Sequence, residues 1–135
     1  MDDSKLFELK VITPERVFYE GEIDMLEFNT TEGEIGVLPG HIPMTVIIKP
    51  GIMTIYETGK DEKRAAVHAG FAEILQDKVT ILAEVVEWPE EIDTARAEAA
   101  YERAQERIQQ KDPGTDMVRA EAALLRAMAR INLVK

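Results

Sequence analysis

The chain has 135 residues, 45% of them apolar, enough for one ordinary domain or a small domain with an appendage. It carries a net charge of −10 and contains no cysteine. Disulfides, thiolate metal sites and cysteine nucleophiles are therefore excluded, and nucleic acid and anionic lipid are poor ligands for its acidic part.

No apolar run approaches the ~20 residues of a membrane span, and the opening "MDDSKLFELK" lacks the basic region and apolar stretch of a secretory leader. A soluble, intracellular chain is the expectation. Residues 1–88 hold 8 Lys/Arg and 17 Asp/Glu, a net of −9, whereas residues 89–135 hold 8 and 9, a net of −1.

From Lys5 to Glu87 the pattern is short and β-like. "FELKV" alternates, with Phe7, Leu9 and Val11 on one face, and "RVFYEGEIDMLEF" continues after the break at "TPE". The phase shift between Met25 and Leu26–Phe28 predicts a β-bulge. Further breaks at "TTEGEIG", "LPGH", "KPG", "ETGKDEK", "AG" and "QDK" separate "MTVII", "IMTIY", "RAAVH", "FAEIL" and "VTILAEVV". About eight to ten strands at this spacing predict an antiparallel β-sandwich or barrel.

At "EWPEE" the texture changes, and alanine, glutamate and arginine dominate from Glu90 onward. Pro89 suits the first turn of a helix, with Glu90, Glu91 and Asp93 complementing its dipole. "KDPGTD" at 111–116 stops one helix and starts a second, capped by Thr115 or Asp116. The fold class is α+β: a sandwich over residues 1–88, then a two-helix antiparallel hairpin over 89–135. The expected inner face of the hairpin is Ile92, Ala95, Ala99, Ala104 and Ile108 against Val118, Ala122, Leu125 and Ala129, with Leu124, Met128 and Ile131. It is thin, and the hairpin is expected to be marginally stable alone.

"RAEAAYERAQER" (96–107) and "RAEAALLRAMAR" (119–130) share eight of twelve residues and the same arginine spacing. Arg96, Arg103 and Arg107 fall within roughly 40° on helix one, apart from the row of Glu98, Glu102 and Glu106. Arg119, Arg126 and Arg130 repeat the stripe. An ordinary solvated helix gains more from opposite charges at i,i+4 than from such sorting. The pattern alone fits either a solvated basic face or a groove for a polyanion, whose phosphates match guanidinium forks.

"EWPEEIDTARA" holds an Ile92-Asp93-x-x-Arg96-Ala97 run with Glu87 five residues ahead, which resembles the I/L-D-x-x-R-A motif of ATP-binding epsilon subunits of bacterial F-type ATP synthases. "GEIGVLPGHIPM" resembles that family's G-E-x-G-x-x-P-G-H-x-P loop, and "KPG" and "HAGFAEI" sit where that family has them. The resemblance covers the whole chain. It implies a non-catalytic central-stalk subunit of a proton-translocating ATP synthase, peripheral on the cytoplasmic side of the bacterial membrane. The implied partners are the gamma subunit and the membrane rotor ring (c ring), with the alpha and beta subunits added when the hairpin extends and obstructs hydrolysis. One ATP clamps the folded hairpin, and the implied ligand set is Glu87, Ile92, Asp93, Arg96, Ala97, Arg103, Arg126 and Arg130. Mg²⁺ could accompany the nucleotide, but no protein motif for it is present, and without G-x-x-x-x-G-K-[ST] the ATP would be sensed rather than hydrolysed.

Glu34 and His41 flank the turn-rich loop, and the resemblance implies contact with the rotor ring there; a solvated loop pair or an acid–base pair are the other readings. His68 is expected to be a satisfied core or edge histidine, and two histidines without an acidic cluster make no metal site. Trp88 is expected to pack the helix entry onto the sandwich. Two other classes fit the composition: a small hydrolase using paired carboxylates, testable on the purified chain, and a permanently docked adaptor in which the ATP motif is idle.

Overall fold

Alternation at period two builds the first strand: in β1 (Phe7–Ile12) the side chains of Phe7, Leu9 and Val11 are buried and those between them are half-buried. The computed structural model describes residues 5–135, so the N-terminal stretch inspected above for a leader lies partly outside them. β2 (Val17–Ile23) and β3 (Met25–Thr30) follow. The predicted bulge near Met25 is instead a break between two strands. Asp24 leaves the ladder, its N–H donating to Tyr56 O (2.8 Å) and its carboxylate accepting from Thr58 Oγ1 (2.5 Å). The irregularity in register lies in the β1–β2 pair, between Val11 and Ile12.

β4 (Gly33–Val37) occupies most of the expected "TTEGEIG" break, leaving only Thr31 and Glu32 as the turn. β5 (Met44–Ile48) and β6 (Gly51–Tyr56) both pair with β7 (Lys63–Ile74), and β8 (Lys78–Glu87) lies on its other side. "AG" is not a break. Ala69 takes a left-handed conformation (φ 43°) inside β7, and the β7–β8 register continues unchanged on both sides of it. Gly70 is required by close approach, because a Cβ there would sit 2.1 Å from Leu82 O.

The eight strands form one sheet in the order β2-β1-β8-β7-β5-β3-β4, with β6 bridging β3 and β7. Only β1 and β8 run parallel among these pairs. Inward side chains from all eight strands, among them Phe7, Ile23, Phe28, Val37, Ile48, Met53, Ile74 and Ile81, share one core, so the sheet closes as a sandwich.

Pro89 does not begin the first long helix. It begins a 3-10 turn (Pro89–Glu91), and α1 (Thr94–Gln110) starts afresh with Asp93 as its cap, accepting from Arg96 N–H at 3.1 Å. α2 (Met117–Val134) starts the same way, Asp116 accepting from Arg119 N–H at 3.1 Å. Between the helices Lys111 ends α1 in the left-handed region.

The packing of the hairpin matches the expected inner face at Ala104 and Ala129 and differs from it elsewhere. Ala95, Ala99 and Val118 are exposed, Val118 at 79%, while Ala97 and Ala104 of α1 and Ala120, Ala127, Ala129 and Leu133 of α2 are buried. Ala97 and Ala104 stand in the same places in the internal repeat as Ala120 and Ala127, 23 residues on. The repeat therefore records a stripe of small side chains, two turns apart, that lets the helices pack closely. Ala129 and Leu133 turn to the sandwich and cover Ala66, with Ile52 and Ile92 beside them.

This docking explains a break in the strand pattern. Ala65, Ala66, Val67 and His68 are all buried, because β7 faces the sandwich core on one side and α2 on the other. At about 0.8 kcal/mol per buried methyl-sized group, the alanines contribute far less than the core strands. A chain ending after Ile92 is thus expected to keep the sandwich, with a single cooperative melt by circular dichroism. An unfolded truncated chain would show that the hairpin is part of the core.

Candidate functional site

The chain leaves the sandwich through a fixed joint. Trp88 stacks on Phe18 of β2, with ring centroids 4.3 Å apart, and Arg16 lies over the same Phe18 ring at 5.0 Å. Arg16 Nη2 donates to both oxygens of Glu91 at 2.8 Å, and Glu91 Oε1 also accepts from Trp88 N–H at 2.9 Å. The Arg16 guanidinium and the Trp88 amide hold the Glu91 carboxyl below its usual range. The 3-10 turn is therefore fastened to the sandwich, and α1 diverges only after it.

Beyond this joint opens a cleft of about 350 Å³ lined by Glu87, Glu91, Asp93, Arg96, Ala97, Ala100, Arg103 and Arg130. β8 supplies Glu87, the 3-10 turn Glu91, α1 the residues from Arg96 to Arg103, and α2 Arg130. Three carboxylates, three arginines and two alanines form its walls. Each carboxylate already has a partner: Glu87 Oε1 accepts from Arg130 Nε at 2.6 Å, Glu91 is held by Arg16, and Asp93 caps α1. Among the described residues no carboxylate lies within ion-pair distance of Arg96 or Arg103. Two guanidiniums with no ion-pair contact among the described residues, beside a cleft that contains a third, suit an anion with several oxygens.

Six of the eight residues expected at a nucleotide site thus meet around one cleft. Ile92 and Arg126 are not among its walls: Ile92 packs with Ala66, Ala129 and Leu133, and Arg126 lies near enough to His68 to act on it electrostatically. Arg107 and Arg119 also lie outside. Glu91 and Ala100 line the cleft without having been singled out, although Ala100 falls between Arg96 and Arg103 on one helical face.

His68 departs from the expectation of a satisfied histidine. It is 1% exposed, and neither ring nitrogen has a hydrogen-bond partner among the described residues. Its Nε2 lies 3.5 Å from Glu87 Oε1, too far for a normal bond. Burial, and then the charge of Arg130, push its pKa down to about 4, against the opposing pull of Glu87.

Glu34 lies near the start of β4 and His41 in the loop that follows the strand. Glu34 pairs with Asn29 on β3 and borders a second cleft with Leu125, Met128 and Asn132 of α2. His41 sits in the loop after β4, its Nδ1 2.8 Å from Ile42 O, between the exposed side chains of Leu38 and Ile42. The structure does not bring these two residues together.

Two family models cover the chain: the β-sandwich domain of the ATP synthase delta/epsilon chain matches residues 6–89, and its long α-helix domain matches residues 90–135. The chain belongs to the ATP synthase delta/epsilon family. It is 47% identical over 130 residues to the ATP synthase epsilon chain of Caldanaerobacter subterraneus subsp. tengcongensis, covering 96% of this chain and 94% of the relative. The Clostridium novyi epsilon chain is 40% identical, covering 97% and 99%, and that of Bacillus licheniformis 39%, covering 97% and 99%. A chain in the solved OSCP/F1/c-ring assembly of the Euglena gracilis mitochondrial ATP synthase shares the fold with a TM-score of 0.82 at 24% identity, covering 96% of this chain and 81% of that one. Among the described residues no helix is long and apolar enough to cross a membrane.

Proposed function

We propose that this chain is a non-catalytic central-stalk subunit of a proton-translocating bacterial ATP synthase, and that its hairpin restrains ATP hydrolysis under the control of bound ATP. Family membership supports the first part. The second rests on one observation: Arg96 and Arg103 line a cleft together with Arg130 from the other helix, and neither has an ion-pair partner among the described residues. A triphosphate placed there bridges the arginines of both helices, so it stabilises the folded hairpin by RT ln(1 + [L]/Kd), about 2.7 kcal/mol at 100-fold over Kd. That is enough to govern a hairpin held largely by alanines. Without ATP, α2 leaves the sandwich and the hairpin extends toward the alpha and beta subunits. Mg²⁺ travels with the triphosphate rather than in a protein cage.

The sandwich stays with the rotor in either state. Its outer face carries an apolar row in register across four strands: Ile47 opposite Phe71, Phe71 opposite Leu82, and Leu82 opposite Ile12. This row, with Ile47 62% exposed, is our candidate for the gamma subunit. The loop of Leu38, His41 and Ile42 is the candidate for the rotor ring, on the cytoplasmic side of the membrane.

The test is hydrolysis by assembled F1 at low ATP. The full chain is expected to suppress it, and the chain ending after Ile92 to bind but leave it unsuppressed. Equal hydrolysis with the two chains would remove the inhibitory role.

A further inference from the structure

We propose that His68 is a proton-operated release for the hairpin: the folded arrangement shuts its ring beneath α2 without a partner, and only departure of α2 lets it take up a proton. The inference rests on the reading that the hairpin opens, but it concerns a residue outside the nucleotide cleft.

The geometry comes from the strand. Val67 of β7 points into the sandwich core, so Ala66 and His68 point the opposite way, and Ala66 packs with Ala129 and Leu133 of α2. His68 lies on this covered face, and Glu87 pairs with Ala66 in the ladder on the same side. The charged groups acting on the ring are Glu87 of β8 and Arg130 and Arg126 of α2. In the 3-10 turn, Glu91 is engaged by Arg16. Arg130 is itself tied to Glu87, which leaves that carboxylate little charge to offer an imidazolium.

When α2 lifts, burial and both arginines are lost together, while Glu87 remains. The ring then returns to an ordinary pKa of about 6.5 from its folded value of about 4. A depressed pKa in the folded state means stability present above the open-state value and lost as pH falls toward the folded one. The window is therefore between about pH 6.5 and 4. Between pH 7.5 and 5 the open-to-folded ratio is expected to rise roughly 30-fold from this one group. Acidification would release the hairpin and so favour the restraining state.

Hydrogen exchange of the α2 amides, corrected for the intrinsic pH dependence of exchange, reads this ratio even when the open state is rare. The parent should lose roughly 30-fold in α2 protection between pH 7.5 and 5, with β1 and β8 amides far less affected. His68→Val, and independently His68→Gln, should flatten that loss. The imidazole of His68, separable by NMR from His41 as the only other histidine, should stay neutral at pH 5.5. A His68 that titrates near 6.5 in the folded chain, or variants with the parent's pH slope, would overturn the proposal. Added ATP at pH 7.5 separates the two readings: protection of α2 that ATP raises but His68 does not govern sinks the release alone, whereas no effect of ATP sinks the nucleotide reading.

Discussion

Replacing Arg103 by alanine is expected to lower the affinity for ATP about ten- to a hundredfold, while Arg107→Ala changes it little. Both are exposed arginines on α1, one turn apart, with similar helix propensity. They differ in what they face. Arg103 lines the cleft with Arg96 and Arg130, and Arg107 does not. Removing one charged donor to a phosphate typically costs one to two powers of ten in binding. Arg126→Ala gives an intermediate case. The resemblance implies a ligand role for it, yet in the folded chain it is not among the residues that line the cleft. Without ATP all three variants should melt close to the parent. Calorimetric titration reads the affinities.

Gly70→Ala should be the most damaging small change in the sandwich, lowering Tm by about 5–15 °C. The added Cβ would meet Leu82 O at 2.1 Å and Ala83 Cα at 2.7 Å, both backbone atoms of β8. Neither can move without parting the β7–β8 ladder, which joins the two halves of the sheet. Overpacking of this kind costs about 1–3 kcal/mol or more. Gly114→Ala is the control, since nothing lies within 4 Å of its added Cβ and the inter-helix turn is exposed. It should shift Tm by no more than a degree or two. Equal shifts in the two variants would show that the β7–β8 contact is looser than the structure has it.

The strands were legible in the sequence because large apolar side chains alternate there, and period two leaves a strong signal in Phe7-x-Leu9-x-Val11. "AG" misled because a glycine needed for close approach looks the same as a glycine that ends a strand. The hairpin's existence was legible, and so was the burial of Ala104 and Ala129, but the rest of its packing phase was not. Alanine occupies both the buried stripe at 97, 104, 120 and 127 and the exposed positions 95 and 99, so hydrophobicity carries no period there. Two of the eight positions that the internal repeat superposes, 97/120 and 104/127, are the alanines buried on both helices, but the repeat also superposes exposed residues such as Ala99 and Glu98 and so does not single them out.

The same holds for the cleft. The arginine stripe pointed to Arg96, Arg103 and Arg130, but not to which arginines would be left out. D-x-x-R begins both helices, at Asp93 and at Asp116, and in each the aspartate caps the helix. That part of the motif is thus a helix start as well as a candidate ligand contact. Glu91 could not be recognised because its partner Arg16 is 75 residues away. His68 sat in an apolar run that correctly predicted burial, but only the docked α2 shows that burial leaves the ring without a partner.

Whether ATP fastens the folded hairpin through both helices is decided by hydrogen exchange of the isolated chain at neutral pH, with and without saturating ATP. Exchange is expected to slow throughout α1 and α2, with β1, β7 and β8 unchanged, and the effect is expected to be lost in Arg103→Ala. Identical exchange with and without ATP, or protection confined to the strands, would contradict it.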